Sequence, residues 1–140
     1  MKTSTLIDSN VLIDVLGPQD LRHRAWSLAA LKQVANEGQI VLSAIVWAEL
    51  AEPRLSEDVL NRLLGRFRPR REAFPFEAAY PAGLAHRAYV ARGGKRERTL
   101  PDFLIGAHAL VADYRLLTRD ASRYRSYFPS LEIVAPDTHP

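Results

Sequence analysis

The chain has 140 residues, of which 47% are hydrophobic and 25% charged, with a formal net charge of +3 and no cysteine. This composition is typical of a globular protein, and the length suits one domain with one core, which we expect to span residues 1–140. The lack of cysteine excludes disulfides and thiolate metal sites and suits a cytoplasmic location. Because Asp8 and Asp14 interrupt the apolar N-terminal stretch, we expect neither a signal peptide nor a membrane span.

The first half of the chain predicts two strands among four helices, from apolar periodicity and from cap and breaker residues. In chain order these are a strand over Thr3–Asp8, helices over Asn10–Leu16 and Asp20–Asn36, a strand over Gln39–Leu42, a helix capped by Ser43 and a helix over Glu57–Phe67.

The second half predicts a short strand near Ala73–Phe76, a helix over Ala78–Ala91, a charged loop over Arg92–Arg98, a helix over Pro101–Asp113, and strands over Leu116–Thr118 and Leu131–Val134. Helices that alternate with short apolar strands indicate a parallel sheet with helices on its faces.

Two aspartates directly follow apolar strands. Asp8 ends the first strand, and Asp120 comes just after the run LLT. In open parallel sheets ligands bind beyond the carboxyl ends of the strands, and neighbouring strands would bring the two carboxylates close. The alternatives are a helix cap at Asp8 and a turn residue at Asp120. Since Ser9 or Asn10 is better placed to cap the next helix, we expect Asp8 to be spare.

Two further acids lie on helices that are otherwise apolar. Glu49 belongs to the segment AIVWAELA, and its alternative role is an edge position that reaches water or pairs with Arg54. Asp102 lies in the first turn of its helix, where the helix dipole alone favours an acid. Its helical neighbours include Ile105 and Gly106, a small-residue face that we expect to pack on the sheet and to direct Asp102 inward.

Together, these positions predict four carboxylates at one edge of a parallel sheet: Asp8, Glu49, Asp102 and Asp120. Like charges at this separation repel one another unless a cation neutralises them. Oxygen ligands without histidine or cysteine select a hard ion, so the expected metal is Mg²⁺ or Mn²⁺.

The segments LIDSNVLID, LSAIVWAEL, PDFLIGAHAL and LLTRDASRYRSYFPSLEIVAP resemble, in this order, the successive motifs of the PIN domain, and most closely those of VapC-type toxins. The resemblance implies a three-layer α/β/α sandwich around a short parallel sheet and an Mg²⁺-dependent ribonuclease, with Mn²⁺ as a possible substitute. It implies that Asp8, Glu49, Asp102 and Asp120 are the first, second, third and fourth metal-binding acids of the family. It also implies that Asn10 and Thr118 are polar positions beside these acids.

The resemblance also implies that the protein forms a homodimer and acts as a toxin that cuts RNA and stops growth. It implies that a small cognate antitoxin of the VapB type silences this toxin. One departure concerns the turn before the LLT strand. Many relatives have glycine there, whereas this chain has Ala112-Asp113-Tyr114-Arg115, so the turn is expected to differ in shape.

The basic residues favour a polyanionic substrate. Sixteen of the 19 are arginine, whose planar fork suits phosphate. From the two clusters between residues 62 and 71 and between residues 92 and 98, we select Arg66, Arg68, Arg96 and Arg98 as contacts to the RNA backbone. The alternative is a set of solvated charges on helix ends and loops.

Two other functions compete with the nuclease. A haloacid-dehalogenase-like phosphatase needs a second aspartate two residues after its nucleophile, but position 10 is asparagine. A PIN-like module that binds RNA or protein without cutting has no need for the four acids.

Overall fold

The computed structural model describes residues 3–17, 21–95 and 98–140. Five strands form one sheet in which every pairing is parallel, in the order β3-β2-β1-β4-β5. The strands are β1 Thr5–Ile7, β2 Ile40–Ser43, β3 Arg70–Glu72, β4 Arg115–Leu117 and β5 Ile133–Val134. With helices on both faces, this is the predicted three-layer α/β/α fold.

Seven α-helices lie within the described residues: α1 Ser9–Leu16, α2 Leu21–Glu37, α3 Ala44–Leu50, α4 Glu57–Gly65, α5 Ala79–Ala91, α6 Leu100–Val111 and α7 Ser122–Arg125. Helix α1 packs against α2, and α5 packs against α6. A 3-10 turn, Phe76–Ala78, leads into α5. None of the helices described is long and apolar enough to cross a membrane. Asp20, where the second helix was predicted to begin, lies outside the described residues.

The strand order creates a crevice beside the central strand. The chain lays down β1, β2 and β3 in one direction and then returns to place β4 on the other side of β1. All of β1 is buried, and the Asp8 N–H donates to the Leu117 carbonyl at 2.9 Å, so the two strand ends stay joined. The carboxyl ends of β1 and β4 therefore lie at a topological switch point, where open α/β sheets bind ligands.

The strand predicted near Ala73–Phe76 is misplaced. The strand in the structure, β3, comes earlier and pairs with β2 at the edge of the sheet. Its residues Arg70 and Arg71 are exposed, so it has no apolar pattern to reveal it. Its position is fixed instead by Glu72, which accepts a hydrogen bond from the Tyr114 hydroxyl at 2.7 Å and lies 2.9 Å from Nε2 of the buried His108.

The turn before β4 keeps a left-handed backbone without glycine. Asp113 has φ 60°, a conformation that aspartate tolerates better than most residues other than glycine. The turn therefore delivers the chain to Arg115 and β4 despite the departure noted in the sequence.

Candidate active site

Asp8 caps helix α1 as well as ending strand β1. Its Oδ1 accepts a hydrogen bond from the Ser9 N–H at 2.8 Å, and α1 begins at Ser9. The prediction that Ser9 or Asn10 would cap the helix and leave Asp8 spare is therefore wrong. Asp8 fills both positions because it lies in extended backbone at the point where the strand turns into the helix.

The Asp8 carboxylate is buried and held by three donors. Its Oδ2 accepts hydrogen bonds from the Tyr124 hydroxyl at 2.7 Å and from Thr118 Oγ1 at 2.8 Å, and only 3% of the residue is exposed. Burial raises the pKa of Asp8 and the charge of Asp102 adds to the rise, while the Tyr124 and Thr118 bonds oppose it. A carboxylate oxygen accepts about two hydrogen bonds, so Oδ1 keeps a free acceptor position.

Asn10 and Thr118 lie directly behind Asp8. The Asn10 side-chain amide donates to Thr118 Oγ1 at 3.3 Å, and its oxygen accepts from the Arg119 N–H at 3.2 Å. Arg119 in turn makes a bidentate pair with Asp14 of α1, with distances of 2.7 and 3.2 Å. This chain of contacts ties the loop after β4 to helix α1 and so fixes the donors that orient Asp8.

Asp102 enters the same crevice from helix α6. Its Oδ2 accepts a hydrogen bond from the Thr99 N–H at 3.1 Å, and 7% of the residue is exposed. The small-residue face of α6 is buried at Ile105, Gly106 and Ala109, and the segment that carries Tyr124 is one of its neighbours. A Cβ on Gly106 would lie 2.5 Å from the Phe128 ring and 3.1 Å from the Tyr124 ring, so glycine lets α6 approach the segment that carries Tyr124.

Glu49 completes a group of three carboxylates that affect one another. Partial burial raises the pKa of Glu49, as do the charges of Asp8 and Asp102, while a hydrogen bond with the Ser9 side chain lowers it. Among the described residues Glu49 has no ion pair with Arg54. The three acids thus meet near the carboxyl end of β1, with Asp8 at the strand end itself, Glu49 on α3 and Asp102 on α6.

Asp120 lies beside this group but has its own partners. Its Oδ1 accepts from the Ser122 hydroxyl at 2.7 Å, and its Oδ2 accepts from Arg123 Nε at 2.9 Å. Partial burial favours a higher pKa for Asp120, yet the bonds from Ser122 and Arg123 and the nearby charge of Arg98 leave it below its ordinary value. Arg123 also approaches Asp102, with 3.4 Å between Nη1 and Oδ1, and so bridges the two acids.

The donor set suits a hard divalent cation, since every candidate ligand atom is a carboxylate oxygen. Asp8 keeps an acceptor position on Oδ1, and among the described residues Asp102 Oδ1 is engaged only by the long Arg123 contact. Across residues 3–17, 21–95 and 98–140, however, no three histidine or acidic side chains are grouped tightly enough to hold an ion as they stand. An ion held here by Asp8 and Asp102 would therefore need Glu49 or Asp120, the two more exposed of the four acids, to rotate toward them.

The described arginines among those selected from the sequence lie in two parts of the structure. Arg98 lies near the acids, as its effect on Asp120 shows, and stacks 5.6 Å from the centre of the Tyr89 ring. Arg66 and Arg68 are exposed at the end of α4, and Arg68 borders a cavity beside Trp47. Arg96 lies outside the described residues.

Sequence reasoning missed Tyr124 and Arg123 as members of this site. Tyr124 is completely buried and aims its hydroxyl at a residue 116 positions earlier, which no local pattern reveals. Arg123 follows Asp120 by three positions, a helical spacing that favours an ion pair and was the one available signal.

The model of the PIN domain family matches residues 5–128 of the chain. The chain belongs to the PIN-domain family. PIN domains are generally nucleases, so the acidic crevice lies in a domain of nuclease type. No curated protein matches the chain significantly in sequence.

Several solved structures share the fold over nearly their whole length. VapBC2 from Rickettsia felis, bound to a promoter DNA fragment, has 18% identity and a TM-score of 0.72, covering 95% of this chain and 98% of that one. VapBC-1 from nontypeable Haemophilus influenzae has 16% identity and a TM-score of 0.69, with coverage of 95% and 98%. FitAcB from Neisseria gonorrhoeae has 24% identity and a TM-score of 0.64, with coverage of 97% and 99%. These similarities confirm the fold, and the match to the family model confirms the resemblance to the PIN domain.

Proposed function

We propose that this PIN domain is an Mg²⁺-dependent endoribonuclease that acts in the cytoplasm as the toxin of a toxin–antitoxin pair and stops growth by cutting RNA needed for translation. The observation that carries the proposal is the group formed by Asp8, Glu49 and Asp102 at the switch point between β1 and β4. Membership of a nuclease family supports it.

Asp8 and Asp102 would hold the Mg²⁺ ion, or Mn²⁺ in its place, and Glu49 and Asp120 would complete the site directly or through water. When bound, the ion supplies a water molecule of lowered pKa and neutralises charge that develops on the phosphoryl oxygens.

Hydrogen-bond donors of the chain itself orient the carboxylates of Asp8 and Asp102. The donors Tyr124, Thr118 and Ser9 hold Asp8 in one rotamer, and the Thr99 N–H does the same for Asp102. Fixed carboxylates lose little entropy when a ligand binds, and this favours precise placement of the scissile phosphate. The oxygen of water adds to phosphorus, the bond to the 3′ oxygen breaks, and that oxygen takes a proton, which leaves 5′-phosphate and 3′-hydroxyl ends.

Charge favours RNA as the ligand. The acids are concentrated in the crevice, while Arg98 lies beside it and Arg66 and Arg68 are exposed elsewhere on the surface. We propose that these three arginines, with Arg96, contact the RNA backbone, which implies binding that weakens steeply as salt rises.

The test is RNA cleavage by the purified protein in Mg²⁺ or EDTA, with the new 5′ ends mapped. We expect Asp8→Asn and Asp102→Asn each to lower the rate at least a hundredfold, and EDTA to abolish cleavage. Asp58→Asn, on the exposed first turn of α4, is the matched control and should keep full activity. Circular dichroism establishes that each variant is folded. Cleavage by Asp8→Asn at the wild-type rate would refute the proposed site, and folded wild-type protein that binds RNA without cutting would favour a non-catalytic module.

We propose that a VapB-type antitoxin binds at a cavity of 490 Å³ beside Trp47. Ala51, Leu55 and Leu60 give this cavity an apolar floor, and Glu52 lies at its margin. This lining suits an apolar segment that also carries basic residues, and a solved structure of similar fold from Klebsiella pneumoniae is itself a toxin–antitoxin complex. Trp47→Ala should weaken binding of the protein encoded beside this gene at least tenfold in calorimetry, whereas Trp26→Phe should not. Equal affinities for Trp47→Ala and wild type would place the antitoxin elsewhere.

We propose that two copies associate through helix α5. Phe76, Tyr80 and Leu84 recur every four residues and are 89%, 76% and 54% exposed. Gly83 lies among them, and a Cβ there would meet nothing within 4 Å. An interior helix glycine costs about 1 kcal/mol relative to alanine, and the packing of the described residues gives no reason for a glycine at position 83. Close approach of a second α5 helix would explain why this position is glycine.

Light scattering after size-exclusion chromatography tests this interface. Wild type should elute with twice the mass of one chain, and Gly83→Arg with the mass of one chain. Gly65→Arg is the matched control, because a Cβ at Gly65 also meets nothing within 4 Å. A Gly83→Arg protein that remains dimeric would contradict the proposed interface.

A further inference from the structure

Among the residues that the structure describes, Arg123 contacts both Asp102 and Asp120. Its Nε donates to Asp120 Oδ2 at 2.9 Å, and its Nη1 lies 3.4 Å from Asp102 Oδ1. Its charge also opposes the raised pKa of Glu49. The guanidinium therefore acts as a counter-ion for the proposed active site as a whole, from the first turn of α7.

The two contacts of Arg123 differ in strength. A charge-assisted N–H···O bond is ordinarily about 2.7–2.9 Å long, so the Asp120 bond is normal and the Asp102 contact is weak. The Arg123 side chain is 40% exposed, which leaves its outer nitrogen atoms room to move. Asp120 thus anchors the guanidinium, while Asp102 holds it loosely.

Asp102 has one oxygen to share. Its Oδ2 accepts from the Thr99 N–H at 3.1 Å, whereas Oδ1 has the longer 3.4 Å contact with Arg123, so Oδ1 is the less engaged oxygen and the one that a divalent cation would share with Arg123. Two positive groups on one carboxylate oxygen repel each other. A cation bound by Asp102 therefore favours release of the guanidinium from this oxygen, although not from Asp120.

We propose that Arg123 is a substrate-binding residue which exchanges Asp102 for a phosphate of the bound RNA. This inference rests on the proposed nuclease function. Anchored at Nε by Asp120, the planar guanidinium presents its two outer nitrogen atoms to phosphate oxygens, an arrangement that arginine forms and lysine does not. Asp120 then acts as the positioning residue for Arg123.

The matched pair of variants is Arg123→Gln and Arg125→Gln. Both arginines lie on α7 and pair with an aspartate, but the partner of Arg125 is the exposed Asp137. The first measurement is Mn²⁺ binding without RNA, followed by electron paramagnetic resonance. Because removal of Arg123 frees Asp102 from a half-exposed ion pair, we expect Arg123→Gln to bind Mn²⁺ about three- to fivefold more tightly. Arg125→Gln should match wild type.

The second measurement is binding of a phosphorothioate RNA oligonucleotide, by fluorescence anisotropy at several salt concentrations. We expect Arg123→Gln to bind about tenfold more weakly and its salt slope to fall by about 0.7, as for loss of one phosphate contact on single-stranded RNA. Arg123→Lys should restore part of the affinity, while Arg125→Gln should stay within about twofold of wild type.

Tighter Mn²⁺ binding together with weaker RNA binding supports the exchange. Unchanged Mn²⁺ affinity overturns it, because Arg123 would then not compete at Asp102. Unchanged RNA affinity or salt slope also overturns it, because Arg123 would then not bind phosphate. Failure of the proposed nuclease function has a different signature, namely wild-type protein that does not cut RNA, and the Mn²⁺ titration is independent of cleavage.

Discussion

Removal of the Tyr124 hydroxyl tests how the fold holds a buried carboxylate. Tyr124→Phe deletes one of the three hydrogen bonds to Asp8 and leaves the ring in place between α6 and the sheet. Both residues are buried, so water does not readily replace the lost donor. A buried hydrogen bond to a charged group contributes about 1.5–3 kcal/mol, and we take about 2 kcal/mol here because two donors remain.

The expected effect on melting temperature follows from chain length. Unfolding entropy of about 2.1 cal/mol/K per residue gives roughly 0.3 kcal/mol/K for 140 residues. A loss of about 2 kcal/mol therefore lowers the melting temperature by roughly 7 °C at pH 7 without metal. Differential scanning calorimetry in EDTA measures the shift, and Tyr127→Phe is the control, since its hydroxyl has no hydrogen bond in the described part of the chain.

The pH dependence separates this mechanism from simple loss of packing. Burial raises the pKa of Asp8, and the Tyr124 bond opposes the rise because it stabilises the ionised form. The deficit of Tyr124→Phe is thus largest above the pKa of Asp8 in the folded protein, and it shrinks as the pH falls through that pKa. A melting temperature within 1 °C of wild type at pH 7, or a deficit independent of pH, would refute the reasoning.

Two further predictions concern the charge network and metal binding. Hydrogen bonds from His108 and Tyr114 hold the pKa of Glu72 below its ordinary value against the opposing effect of burial. Glu72→Gln should therefore lower the free energy of unfolding by about 1–2 kcal/mol above pH 4.5, and this loss should vanish as the pH falls through the depressed pKa. Denaturant titration at several pH values measures the loss, and a loss that does not change with pH would contradict the prediction. Mg²⁺ at a hundred times its dissociation constant should stabilise wild type by about 2.7 kcal/mol and leave Asp8→Asn unchanged in a thermal shift assay, whereas equal stabilisation of both would exclude Asp8 as a ligand.

Apolar periodicity and turn residues were enough to predict the parallel sheet because four of its strands are largely buried. The edge strand β3 was not predicted because its three residues, Arg70, Arg71 and Glu72, are all charged. Side chains from distant segments hold it in place. Sequence patterns report burial on one face of an element, and an exposed edge strand has no such face.

The candidate site was likewise predicted only in part from the sequence. Asp8 stood out because an aspartate directly after a buried strand is unusual. The prediction that Ser9 or Asn10 caps α1 was wrong, because Asp8 both caps the helix and faces the crevice. Tyr124 and Arg123 depend on contacts that form only once α7 folds against α6. Tyrosine at a core position looks like packing alone, and only the structure shows where its hydroxyl points.

The most direct test of the account is the position of Mn²⁺ in crystals of the protein, located by anomalous diffraction. The account predicts a peak in the crevice beyond β1 and β4, within bonding distance of Oδ1 of Asp8 and Oδ1 of Asp102, which disappears in Asp8→Asn crystals. A peak elsewhere, or one that persists in Asp8→Asn, would contradict the claim that these two carboxylates hold the metal.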